Sequence, residues 1–195
     1  MKKIKSFMVG MANSPDIMAA RAVAESFGCI HHEHIFTADE AFDIVPKVIY
    51  HLETYEPELI RSSIPNYFLA TLASQHTKVV LTGEGADELF AGYLYFRDAP
   101  SRDLLHGETL RIWDALHNVN LQRSDRMSMA HGLEARVPFL DVDMLQEAFG
   151  HVDPAVKMHN HEEGKIEKWA LRALFEESGI PADVVWRTKA MQCEG

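Results

Sequence analysis

The spacing of apolar residues changes several times along the chain, and each change marks an element. Ser6-Phe7-Met8-Val9-Gly10-Met11 is a short apolar run that stops at a turn-like Asn13-Ser14-Pro15-Asp16, the pattern of a buried strand running into a loop. Ser14 stands where an N-cap would, with Pro15 at the first helical position. Ile17, Ala20, Val23, Ala24 and Phe27 follow at helical spacing, and Gly28 closes that helix. Cys29 to Phe36 reads as a second strand. Thr37-Ala38-Asp39-Glu40 has the form of a capping box and opens a helix through Phe42, Val45, Val48, Ile49 and Leu52. Another helix is expected over Tyr67–Ser74, and a third strand over Lys78–Leu81, which ends abruptly at Thr82-Gly83-Glu84-Gly85.

Strands alternating with helices predict an α/β fold, a parallel sheet with crossover helices. Ligands of such sheets bind beyond the carboxyl ends of the strands. Two ends qualify here, Val9-Gly10 and Thr82-Gly83. After Tyr95 the pattern turns helical, over His106–His117, Leu121–His131, Met144–Phe149 and Gly164–Ser178, and no further strand is expected. Residues 1–99 thus form an α/β part and residues 100–195 a mainly helical part, layered on the sheet within one domain.

Composition narrows the function. The chain has 195 residues, 47% of them hydrophobic, with Lys+Arg 19 against Asp+Glu 29 and a formal charge of −10. That balance argues against disorder and against a general grip on nucleic acid, which wants a basic surface. Its apolar runs fall far short of the ~20 residues that cross a bilayer, and no membrane association is expected. The basic start is followed only by Phe7–Ala12, too short for an export signal. Cys29 and Cys193 do not make a disulfide scaffold, so the expectation is a reducing, cytoplasmic setting.

Three stretches carry chemistry. In Thr82-Gly83-Glu84-Gly85-Ala86-Asp87-Glu88 the glycines let a ligand approach the backbone. A helix starting near Glu84 would put Glu84, Asp87 and Glu88 on one face, a set suited to a hard cation such as Mg²⁺. A tight turn with a dipole-favoured acidic first turn explains the same residues. The stretch is neither a phosphate-binding loop with a following lysine nor G-x-G-x-x-G. Lys165, Lys168 and Arg172 would form a basic stripe on one helix face opposite Ile166, Trp169, Ala170 and Ala173. Taken alone, such a stripe is a solvated face. Glu134-Ala135-Arg136-Val137-Pro138-Phe139-Leu140-Asp141 reads as a loop pinned by Arg136 with Asp141 or Glu134. The histidine clusters at 31–34 and 159–161 raise zinc, since His32 and His34 share a strand face, but a solvent-facing strand is preferred because no metal-ligand spacing supports it.

In sequence order, five segments resemble the synthetase domain of the glutamine-hydrolysing asparagine synthetases. They are Phe7–Met11 with Ser14-Pro15-Asp16; Val48–Tyr55; Val80–Tyr93; Glu134–Asp141; and Ile166–Arg172. The resemblance implies a fold of the adenine-nucleotide α-hydrolase type and an AMP-forming ligase using ATP and Mg²⁺. It would activate aspartate as β-aspartyl-AMP, which ammonia from glutamine then converts to asparagine. By position, Val9 resembles the residue whose backbone touches adenine, and Thr82 and Gly83 the nucleotide-binding pair, usually Ser-Gly. Glu84 resembles the glutamate needed for the acyl-adenylate, Asp87 the carboxylate that holds magnesium, and Lys168 the lysine that stabilises the adenylation transition state. Arg136 matches as a binder of the substrate carboxylate.

The chain departs from that pattern in two places. The family's Ser-Gly-Gly-x-Asp-Ser pyrophosphate loop, on the strand before the one that opens this chain, does not occur, and position 2, where a glutaminase would carry its cysteine, is Lys2. Both ends read as cut, so the expectation is a partial domain, active only with the missing glutaminase and loop segments. An exposed sheet edge predicts self-association, at its simplest a homodimer. The alternatives are an inactive truncated scaffold and an AMP-forming ligase for another carboxylate.

Overall fold

The computed structural model describes residues 3–161 and 164–187. Cys193 and the expectations for the start at Met1-Lys2 and the tail from Lys189 fall outside them. Strand β1 (Lys5–Gly10) leads through helix α1 (Pro15–Ser26) to β2 (Ile30–Ile35). The strands pair in parallel, with Phe7 opposite His32 and Val9 opposite His34. Ser14 caps α1 as its sequence implies, accepting from the Asp16 N–H at 3.2 Å, with Pro15 in the first turn.

Helix α2 (Ala38–Leu52) opens on the expected capping box. Thr37 Oγ1 accepts from the Glu40 N–H, and Glu40 accepts from the Thr37 N–H at 2.7 Å. Val48 and Leu52 go into the core, but Phe42, expected on the same side, is 75% exposed. Helix α3 is longer than the expected 67–74 and runs Pro57–Ser74. Its start is hidden in the sequence because the cap is a glutamate: Glu56 accepts from the N–H groups of Glu58 and Leu59, and Pro57 pre-sets the first turn.

Strand β3 (Val79–Leu81) ends at the acidic turn, followed by the single-turn α4 (Ala86–Leu89). Helices α5 (Arg102–Ala115) and α6 (Asn120–Ala130) then lead to β4 (Glu134–Arg136), a strand the helical pattern did not announce. It pairs in parallel with β3, Val80 opposite Ala135. Three residues are too few to show a period, and their partner lies more than fifty positions away, so the pairing is a tertiary decision. It also ties the helical part to the α/β part across residue 100. Short α7 (Val142–Gln146) and α8 (Pro154–Lys157) precede an antiparallel hairpin, β5 (His159–His161) and β6 (Gly164–Ile166). Helix α9 (Trp169–Phe175) and α10 (Ala182–Val185) complete the described residues. No helix among them is long and apolar enough to cross a membrane.

The single parallel sheet of the sequence reading is therefore two parallel pairs, β2–β1 and β3–β4. Between β1 and β3 lies a cavity of about 710 Å³, walled by Ser6 and Phe7 on one side, Val79–Leu81 on the other, and α3 residues such as Leu69 and Ala73. Ala70, Ala73 and Leu133, with Phe7 and Val80 against them, pack the two pairs onto one core. A second core joins α2, α3 and α6 through Val48, Leu52, Leu59 and Met127. The histidines of β2 are not solvent-facing as expected. His32 stacks on His76 at 3.8 Å between centroids and on Phe7, and His34 leans on Phe68.

Candidate active site

The turn after β3 is shaped by two glycines. Gly85 has φ +94°, a left-handed backbone, and a Cβ there would overlap the Leu140 side chain. Gly83 differs, because a Cβ would meet nothing within 4 Å. A side chain there would point into open space. Thr82 is anchored by its N–H to the Arg136 carbonyl at 3.0 Å, so the β3–β4 ladder carries the turn.

The three carboxylates of the turn do not share a face. The helix begins at Ala86 rather than near Glu84, and each carboxylate has its own partners. Glu84 turns to α6, accepting from Ser124 Oγ at 2.6 Å and Arg123 Nη2 at 3.0 Å. Glu88 is buried, accepting from the Tyr93 hydroxyl and from Asn120 Nδ2 at 3.2 Å. Burial, helped by that carboxylate, pushes the Tyr93 phenol far above its ordinary value. Asp87 instead accepts from Lys168 Nζ at 2.9 Å. Among the described residues no three His, Cys, Asp or Glu side chains gather closely enough to hold a metal by themselves. Asp87 has room because position 92 is glycine, where a Cβ would overlap Asp87 Oδ1.

The basic stripe is also rebuilt. Residues 164–178 do not form one helix: Gly164–Ile166 is a strand, and α9 begins only at Trp169. Lys168 caps α9 in the left-handed region, φ +53°, a conformation that costs a non-glycine residue about 1–3 kcal/mol. Lys165 donates to the Arg97 carbonyl at 2.6 Å, Lys168 reaches Asp87, and Arg172 reaches Glu167 at 2.6 Å. Helical spacing misled here because Gly164 and the turn at Glu167-Lys168 break the register.

The separate pieces adjoin one another. A cavity of about 520 Å³ is lined by Val9 and Gly10 from the end of β1, Ser14 and Asp16 from the start of α1, and Val184 and Arg187 from the α10 end. It shares Val184 and Arg187 with a hollow of about 400 Å³ that takes in Lys168 and Ala86. It shares Ser6, Phe7 and Leu69 with the larger cavity that reaches Thr82. Val9, Thr82 and Lys168 thus line neighbouring hollows, and Glu84 lies between the turn and α6. Arg136 is placed otherwise. Its side chain is 61% exposed and donates to Glu134 at 2.7 Å, one of the two partners expected for it. Arg123 and Ser124, the partners of Glu84, carried no signal beyond being polar residues of a helix.

A sequence profile of the family described as "Asparagine synthase" matches residues 1–106 and 98–192. The chain is 45% identical over 201 residues to a probable asparagine synthetase [glutamine-hydrolyzing] of Schizosaccharomyces pombe, covering 99% of this chain and 36% of that protein. It is 44% identical to asparagine synthetase [glutamine-hydrolyzing] 1 of Saccharomyces cerevisiae, covering 98% of this chain and 35% of that protein. It is 43% identical to asparagine synthetase [glutamine-hydrolyzing] 1 of Arabidopsis thaliana, covering 99% and 34%. The chain spans about a third of the length of these curated relatives.

Proposed function

Because the chain belongs to the asparagine synthase family, we propose that it supplies the ATP-using part of a glutamine-dependent asparagine synthetase. The reaction runs in two displacements. The side-chain carboxylate of aspartate attacks the α-phosphorus of ATP and expels pyrophosphate, giving β-aspartyl-AMP. Ammonia, derived from glutamine, then attacks the acyl carbon and expels AMP. The single observation that carries this reading is the meeting of Asp87 and Lys168 at 2.9 Å, from positions 81 residues apart. It joins the acidic turn to the lysine arm, and Lys168 lines a hollow that adjoins the cavity at the end of β1.

In this reading the Val9 backbone contacts adenine, and Thr82 and Gly83 hold the nucleotide. The open space beside Gly83 supports that role. Glu84, oriented by Ser124 and Arg123, serves acyl-adenylate formation. Lys168 supplies fixed positive charge where pyrophosphate oxygens gain negative charge, which lowers the barrier because the donor is already in place. Arg136 binds the substrate carboxylate, and to do so its guanidinium must leave Glu134. Asp87 suits Mg²⁺, which commonly takes one or two carboxylates together with phosphate oxygens and water. Its partly exposed carboxylate fits that pattern. The metal, when bound, neutralises phosphate charge.

We further read residues 1–195 as a partial asparagine synthase domain of adenine-nucleotide α-hydrolase type. The cavity between β1 and β3 supports this, since it lies where one more strand would join the two parallel pairs. The decisive experiment is aspartate-dependent ATP–pyrophosphate exchange. It is run on the chain alone and on the chain supplied with a relative's Ser-Gly-Gly-x-Asp-Ser segment. Exchange only in the second case is expected. Exchange by the chain alone would overturn the need for that loop, and none in either case would overturn the ligase reading.

A further inference from the structure

We infer that Glu167 is the positioning residue that aims Lys168 at the acidic turn. The inference rests on the reading of Lys168 as the adenylation lysine, and it adds how that lysine is held. Lys168 adopts a backbone conformation that surroundings must impose, φ +53° and ψ +31°. The residue before it is 1% exposed, although it is a carboxylate. Glu167 Oε2 accepts from Arg97 Nη2 at 2.7 Å, and Oε1 accepts from Arg172 Nη2 at 2.6 Å. The Glu167 carbonyl accepts from Arg172 Nε at 2.9 Å. That carbonyl belongs to the peptide group whose nitrogen is Lys168's own, so the arginine fixes the plane from which Lys168 departs. Arg97 comes from the turn Leu94–Asp98 just after the acidic turn, and Arg172 from α9. The carboxylate is therefore anchored to both sides of the gap that Lys168 spans.

Burial pushes the Glu167 carboxyl up, but Arg97 and Arg172 outweigh it and hold the group below the ordinary carboxylate range, so it stays ionised at neutral pH. A charge kept in the interior at that cost of desolvation sets register, with two arginines supplying the compensation.

The test reads Lys168 directly. The chain is acylated with a limiting N-hydroxysuccinimide ester, and modification at Lys168 is measured by peptide mass spectrometry relative to exposed Lys47. Asp87→Asn, which removes the Asp87 ion pair, sets the upper reference. Glu167→Gln is expected to raise Lys168 labelling about fivefold, the size of one partly exposed ion pair. Arg97→Met should raise it less, and Arg97→Lys should return it towards the starting value. A folded Glu167→Gln with unchanged Lys168 labelling overturns the inference. Should Glu167→Gln fail to melt cooperatively, unchanged labelling in Arg97→Met overturns it equally. No nucleotide enters this measurement, so a failure of ATP–pyrophosphate exchange would sink the ligase reading and leave this result standing.

Discussion

The acidic turn at 82–92 and the lysine arm at 164–187 meet in one ion pair but are built on different principles. The turn is held by backbone: Thr82 hangs on the Arg136 carbonyl, Gly85 lies against Leu140, and the Gly92 N–H donates to the Asp87 carbonyl at 2.7 Å. Leu89 and Phe90 then seal it into a core with Ala148. The arm is held by side-chain charge, through Glu167, Arg97, Arg172 and Arg187. Backbone and packing make a rigid platform, whereas charged side chains make an attachment that solution conditions can change.

The largest effect that would test this contrast is catalytic. In the chain supplied with the Ser-Gly-Gly-x-Asp-Ser segment, Lys168→Ala should lower aspartate-dependent exchange about 100- to 1,000-fold, the usual loss for one preorganised charge donor, with little change in melting temperature. A large fall in melting temperature would mean that the arm is structural after all. Gly85→Ala should do the reverse and cost about 3 kcal/mol in chemical denaturation, combining left-handed strain with overlap on Leu140. A neutral Gly85→Ala would remove the rigidity argued for the turn.

A third expectation concerns Lys157, 1% exposed, whose ammonium lies 5.0 Å above the Phe149 ring with no hydrogen-bond partner. Burial pushes it down to about 8. The folded value is below the unfolded one of ~10.4, so between them the unfolded chain binds more protons and stability rises with pH. Lys157→Met should stabilise the fold at pH 7 by about 1–3 kcal/mol and flatten that rise. Glu167 gives a rise with pH as well, in an acidic window. Its depressed carboxyl contributes stability above the unfolded value of ~4.3, and that contribution is lost as the pH falls through the lower folded value. Hydrogen exchange across 164–187 on acidification would show it. The smallest effect is expected from Arg136→Met, below about 1 kcal/mol in stability, because its pair with Glu134 is more than half exposed on both sides.

What the sequence made legible follows the same division. The caps at Ser14 and Thr37, strands β1 to β3 and the turn at Thr82 were readable because neighbours along the chain decide them. Strand β4, the early start of α3 and the break at Lys168 were not. The first depends on a partner strand far away, the second on a glutamate acting as a cap, and the third on a buried carboxylate held partly by Arg97, 70 positions away. The separate orientations of Glu84, Asp87 and Glu88 were hidden for a related reason. Spacing places side chains around a helix axis, but here the axis begins two residues later.

The outer fastening of the arm has a consequence for ionic strength. Arg172 holds the carbonyls of Val185 and Arg187, and the Arg187 guanidinium sits on Asp16 in the first turn of α1. The Arg187–Asp16 contact is a third to a fifth open to water, whereas Arg172–Glu167 is closed to it. Added salt screens open charge pairs more than enclosed ones. A brine series should therefore unhitch the distal end of the arm from α1 while the proximal end still grips.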